Sequence, residues 1–257
     1  MDIKIIYEDN DLLVVDKPSG VVVFEEGAHP STGSGFLINE LIKKKPELKS
    51  VGEPPRYGIV HRLDKDTSGI LLVAKTSESL IFLQKQFINR EVEKKYVCLV
   101  EGVVKDDKNE IKTLIARAKG DPRKQRAYSA VNAPKSAREA ITEYKVLQRY
   151  GSPTSPRLRG VTSSEFTLLE VKIKTGRKHQ IRCHLAYIHH PIAGDKMYGF
   201  KNSPVPEGLT RQFLHAGYLK IKLLPSSAKA TAGEGKEFKS ELPEELNKIL
   251  KNLSSPS

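Results

Sequence analysis

The chain is expected to fold as α+β: a mixed, largely antiparallel sheet with flanking helices around a central cleft. Three observations lead there. Many β-prone runs are bounded by turn residues, few helical periods lie between them, and strands and helices do not alternate strictly as a parallel sheet would require. No internal repeat and no convincing domain linker interrupts the pattern, so the expectation is a single domain over residues 1–257.

Taken in order, "IKIIYEDNDLLVVDKPSG" gives two short strands, Ile3–Tyr7 and Leu12–Val15, joined by the turn-prone "EDND" and stopped by "KPSG". "FLINELIKKK" places Phe36, Leu37, Leu41 and Ile42 at helical spacing before Pro46 ends it. "GIVHRL" and "GILLVAK" read as strands around the polar "HRLDKDTSG". "SESLIFLQKQFINREV" is an amphipathic helix with Leu80, Leu83, Phe87 and Ile88 on one face and Ser77 as candidate N-cap. "KKYVCLVEG", "AITEYKVLQRY" and "SEFTLLEVKIKTG" read as strands, the last two separated by the loop-like "GSPTSPRLRG". In "KHQIRCHLAYIHHP", Ile181, Leu185 and Ile188 share a helical face that Pro191 closes. "FLHAGYLKIKLL" is a strand or strand pair, "SSAKATAGEGK" a linker and "ELPEELNKILKNL" a short helix.

The formal charge is +12, from 43 basic and 31 acidic residues. Such an excess draws polyanions and makes nucleic acid the leading class of partner. No apolar run approaches the ~20 residues needed to cross a bilayer, and the N-terminus lacks a signal pattern. Two cysteines, Cys98 and Cys183, give no disulfide framework, so a cytoplasmic location is expected.

Nucleophile elbows and phosphate loops are missing; "TGSG" and "GEGK" lack the flanking strand and helix that give such loops meaning. His179 and Cys183 sit four apart on a helix, with His184, His189 and His190 near, but zinc takes three or four ligands in a fixed geometry, so no metal site is assigned. "HRLDKDTSG" carries more chemistry. Asp64 has two readings: an Asx-turn carboxylate satisfying backbone N–H groups, or a reactive acid beside Arg62, since a neighbouring guanidinium favours the ionised form. Two residues apart on a strand, Arg62 and Asp64 would share a face.

"HRLDKDTSGILLVAK" resembles the central motif of the RluA-type pseudouridine synthases. "EDNDLLVVDKPSGVVV", "KKYVCLVEG", "TGRKHQIRCHLAYIHHPIAGDKMYG" and "FLHAGYLKI" resemble further segments of that family, in its order, from Glu8 to about Ile221. The resemblance implies the family's catalytic fold and its reaction, isomerisation of uridine to pseudouridine in tRNA or rRNA without a cofactor. It implies Asp64 as the essential carboxylate, Arg182 as its arginine partner and Tyr96 as the ring that stacks on the target uracil. Arg62 would enter the RNA as the nucleotide leaves its stack, with His61 and Leu63 meeting substrate beside it. Ile181 and Leu214 would wall the pocket, and Arg177 and His179 would meet phosphate where strand gives way to helix. A monomer is the family's default.

Departures accompany it. "FEEGA" intervenes before His29-Pro30, "GSPTSPRLRG" looks inserted, and His189 stands where a glycine is common. With the catalytic motif so near the start of the sequence, a separate N-terminal RNA-binding domain of the kind some relatives carry is not expected. The basic stretch Arg117 to Arg138 is expected to contact phosphates. An inactive RNA-binding module of the same fold and a nuclease-like hydrolase are the competing classes. The set Asp64, Tyr96 and Arg182 favours the isomerase.

Overall fold

The computed structural model describes residue 1 and residues 3–25, 35–151, 165–224 and 235–254. His29-Pro30, the insertion-like loop after Gly151 and most of the "SSAKATAGEGK" stretch lie outside the described residues. The first elements are β1 Lys4–Glu8, β2 Leu12–Lys17, α1 Leu37–Lys44, β3 Ser68–Ala74, α2 Ser77–Ile88, β4 Glu93–Glu101 and β5 Lys108–Arg117. There follow β6 Gln125–Tyr128, β7 Arg138–Tyr150, β8 Phe166–Ile173, α3 Gln180–Tyr187, β9 Leu214–Lys222, β10 Gly235–Lys239 and α4 Glu244–Ser254. The class is α+β, as expected. The chain divides into two compact units, Met1–Lys94 with Ala216–Glu241, and Lys95–His215 with Leu242–Ser257.

In the first unit β1, β2, β3 and β9 are neighbours in that order, and β10 pairs with β9. The β1–β2 and β2–β3 pairs are antiparallel, with Lys4 opposite Asp16 and Leu12 opposite Ala74. The "EDND" turn closes because Asp9 Oδ1 accepts the amides of Asp11 and Leu12 at 2.9 and 2.7 Å. Helix α2 packs on β3, seating Leu80 and Leu83 among Leu12, Val14, Ile70, Leu72, Leu219 and Phe238.

Three details of this unit differ from the sequence reading. The N-cap of α2 is Thr76, one residue earlier than expected, in a capping box with Ser79. Ile88 ends the helix exposed, and Gln86 takes the buried place, its amide exchanging two hydrogen bonds with the backbone of Lys222 at 2.8 and 2.9 Å. "GIVHRL" is not a strand. It makes a single bridge, Ile59 to Val73, and then the ring of His61 replaces the backbone, Nε2 accepting the Leu72 amide at 3.1 Å. A side chain standing in for a carbonyl ends the ladder and frees the chain to turn.

In the second unit the order is β4, β8, β7, β5, β6, every neighbouring pair antiparallel. Strands β5 and β6 had no counterpart among the expected elements: β6 falls within the basic stretch Arg117 to Arg138, and β5 covers residues before it to which no element was assigned. Only Ile111, Thr113 and Ile115 of β5 alternate inward, among charged neighbours that mask the period. Helix α3 packs against β5, β6 and β7, with Cys183 among Ile115, Ala127 and Ala140. It ends where Pro191 was expected to close it. His190 N–H reaches Leu185 C=O and His189 N–H reaches Ala186 C=O, with His189 at φ 64. This is a Schellman turn, in which His189 adopts the left-handed conformation that glycine usually supplies.

Candidate active site

Asp64 sits in the tight turn that follows the His61 segment in the first unit. Thr67 N–H donates to Asp64 C=O at 3.1 Å, closing the turn. Leu63 on one side and Thr67 and Ser68 on the other are buried, whereas Asp64 is only half-buried. These buried anchors hold the ends of the turn and leave the carboxylate at its partly open middle. Gly69 has φ 118, and a Cβ there would stand 2.3 Å from the carbonyl oxygen of Ala216. Only glycine lets β9 approach so closely.

Lys17 fastens the same turn from beneath. Fully buried, its ammonium donates to the carbonyls of Pro18 and Val21 at 2.8 Å each and of Lys65 at 3.0 Å. Three N–H donors meeting three acceptors offset the cost of burying a charge. No local pattern beyond the strand-stopping "KPSG" signals this, because one acceptor lies 48 residues away.

Arg62 is half-buried, its guanidinium carbon 5.8 Å from the centroid of the Phe24 ring; Arg56 approaches the same ring at 4.8 Å. Burial disfavours the Arg62 cation and Asp64 favours it; burial prevails, so the arginine sits below its ordinary value. The two side chains do influence one another, but through a turn and not along a strand face. His61 stacks on Phe87 at 4.9 Å. Burial, helped by the charge of Lys94, pushes its pKa down to about 3, which keeps Nε2 an acceptor for Leu72.

The remaining expected residues belong to the second unit. Tyr96 lies on β4 opposite Val171 and is 8% exposed; Ile181 and Leu214 are buried. Arg177 donates through Nε to the Glu139 carbonyl at 2.9 Å. His179 caps α3 at φ 54, its Nδ1 3.0 Å from the Tyr198 hydroxyl. Arg182 grips Asp195: Nε donates to Oδ2 at 2.7 Å and Nη2 to Oδ1 at 2.9 Å, with the guanidinium 5.0 Å from the Tyr198 ring. Asp195 also accepts the amides of Met197 and Tyr198 at 2.9 and 3.0 Å. Burial works against its charge, but Arg182 and those two amides outweigh burial and hold the carboxyl below its usual range. Asp195 stands in the quoted "AGDKMYG", yet its part as the anchor of Arg182 shows only in three dimensions.

Residues 11–187 match the model of the RNA pseudouridylate synthase family. An uncharacterized RNA pseudouridine synthase of Aquifex aeolicus is 42% identical, the alignment covering 99% of this chain and 74% of that protein. The uncharacterized RNA pseudouridine synthase YlyB of Bacillus subtilis is 37% identical over 98% of this chain and 73% of its own length. Ribosomal large subunit pseudouridine synthase D of Nitrosomonas europaea is 38% identical over 98% and 65%. Human RNA Pseudouridylate Synthase Domain Containing 1 shares the fold, with a TM-score of 0.68 at 23% identity over 100% of this chain and 96% of that one. Fold and relatives together define an RNA-modifying isomerase. The chain belongs to the RNA pseudouridylate synthase family, of the RluA type. Among the described residues no helix is long and apolar enough to cross a membrane.

Proposed function

We propose that this chain converts uridine to pseudouridine in the RNA of the large ribosomal subunit, with Asp64 as the essential carboxylate. The uridine C1′–N1 bond breaks, the uracil turns over, a C1′–C5 bond forms, the proton on C5 leaves for solvent, and the freed N1 takes up a proton in its place. Nothing is gained or lost overall, so the work lies in extracting the base and guiding its rotation. Asp64 acts on the extracted nucleotide. Tyr96 stacks on its uracil, a contact worth about 1–3 kcal/mol in such sites. Arg182 serves as the cation of the site, Arg62 takes the vacated place in the RNA, and Ile181 and Leu214 bound the pocket. His61 and Leu63 support Arg62, and Arg177 and His179 meet the backbone phosphates.

The observation that carries the reading is Asp64 itself, half-buried in a turn whose flanks are locked by Leu63, Lys17 and Gly69. The choice of ribosomal RNA rests on the relative from Nitrosomonas europaea and others of the same printed name. Such work would be done in the cytoplasm. Carbodiimide mapping of large-subunit RNA from cells with and without the gene tests the proposal. One or more pseudouridines should vanish with the gene; an unchanged ribosomal map with losses in transfer RNA would move the substrate, and no loss anywhere would refute the activity.

A further inference from the structure

Helix α3 carries Ile181 and Arg182, and the same eight residues hold Gln180 and His184, for which the reaction above has no use. Both are buried, at 3% and 0% exposed. They are four apart, on one face of the helix, while Arg182 lies about 200° around the axis from Gln180. Their polar atoms join three buried threonines in a chain. Ile141 N–H donates to Thr175 Oγ1 at 3.0 Å, and Thr175 donates to Gln180 Oε1 at 2.8 Å. Arg177 N–H also donates to Oε1, at 3.0 Å, which fixes the amide orientation. Gln180 Nε2 then donates both hydrogens, to Ile141 C=O and to Thr142 Oγ1, each at 3.0 Å. Thr142 Oγ1 stands 2.9 Å from His184 Nδ1, and His184 Nε2 stands 2.9 Å from Thr113 Oγ1.

Burial sets the direction of the last two bonds. A neutral imidazole donates from one nitrogen and accepts at the other, so one of the two threonines keeps a hydroxyl hydrogen that the ring does not take. Thr142 is 0% exposed and would strand that hydrogen; Thr113 is 7% exposed and lines an open groove of about 520 Å³, where water can accept it. Thr142 therefore donates to Nδ1, and the proton sits on Nε2, facing Thr113. An imidazolium would leave the Thr142 hydrogen without an acceptor. Burial acts in the same sense and pushes His184 down to about 4.

We propose that this one-directional chain fixes the rotation of α3 on its sheet and that His184, as the neutral Nε2–H tautomer, is a positioning residue for Arg182. The proposal rests on the reading that Arg182 serves the reaction. The lever is short: at about 5–6 Å from a helix axis, a 10° rotation carries a side chain about 1 Å. A misplacement of that size costs up to about 100-fold in rate.

Two measurements decide it. On the unaltered protein, ¹⁵N NMR of the histidine rings at pH 6 should show His184 neutral with its proton on Nε2; an Nδ1–H ring or an imidazolium overturns the proposal. In steady-state assays, Thr142→Val and His184→Phe should each lower kcat about 10- to 100-fold with KM within about twofold. Thr142→Ser, which keeps the hydroxyl, should restore the rate. In an Arg182→Lys background the same two substitutions should cost far less, because the group they place is already altered. Wild-type kcat in Thr142→Val and His184→Phe overturns the proposal. Equal losses in both backgrounds, with Arg182→Lys itself impaired, overturn the positioning role and leave the assignment of Arg182 standing. Wild-type kcat in Arg182→Lys alone removes the assignment and the positioning role together.

Discussion

Asp195→Asn isolates the hold on Arg182. The carboxylate receives four N–H donors, two from the guanidinium and one each from Met197 and Tyr198, and its side chain is fully buried. Asparagine has the same shape. With its oxygen in the place of Oδ1 it keeps three of those donors, but its NH₂ then faces the Arg182 Nε–H from 2.7 Å, donor against donor. Breaking one partner of a buried ion pair costs about 3–5 kcal/mol. We expect about 3 kcal/mol for asparagine, which retains part of the shell, and the top of that range for Asp195→Ala. Urea unfolding reads the difference as a lower midpoint at unchanged slope. The pH dependence has a sign. Asp195 is held ionised below the usual range, so its contribution is present above about pH 4 and fades as acid protonates the folded state. The gap between wild type and Asp195→Asn should therefore close in acid. A gap under about 1 kcal/mol at pH 7 would refute the argument, since an exposed pair costs no more than that.

Four other substitutions, at three places, test separate parts of the account. His61→Leu leaves the Leu72 amide without its acceptor and should destabilise by about 1–3 kcal/mol. Because folded His61 binds its proton only near pH 3 and unfolded histidine near 6.5, wild type should lose stability as pH falls through that interval, and His61→Leu should lose less. His189→Gly should raise stability by about 1 kcal/mol, because glycine takes φ 64 without strain; an unchanged midpoint would contradict the Schellman reading. In the β5–β6 turn Arg123 is pinned to Asp121 by three hydrogen bonds from 2.9 to 3.0 Å. Lys124→Glu should flatten the salt dependence of RNA binding by about one unit of slope and Arg123→Glu by less. Equal slopes throughout would remove that turn from the interface.

The strands were legible where apolar residues alternate or run together, as in Leu12–Val15 and Gly69–Ala74, and α2 announced itself by the spacing of Leu80, Leu83 and Phe87. The glycine-like demand at His189 was also visible. What stayed hidden were polar side chains whose partners are backbone groups distant along the chain. Gln86 reaches Lys222 across 136 residues, Lys17 reaches Lys65 across 48, and His61 substitutes for a carbonyl opposite Leu72. No local pattern encodes such pairings, because each is set by how the sheet closes. The same holds for Arg182: its type and motif mark it, but its anchor, Asp195, is a matter of how the segment after α3 folds back. The polar turn around Asp64 was legible because a segment that rich in charge stands out between apolar runs, while the residues alone left Asp64 open between a turn-forming carboxylate and a reactive acid.

Release of tritium from RNA labelled at uridine C5 is the most direct measure of the central claim, with Asp64→Asn set against the unaltered protein. Asparagine fills the same half-buried place in the turn but can act neither as nucleophile nor as base, so the variant should fold normally, bind RNA and release no tritium above background. Release by that variant within tenfold of the unaltered rate would show that the reaction runs without the carboxylate.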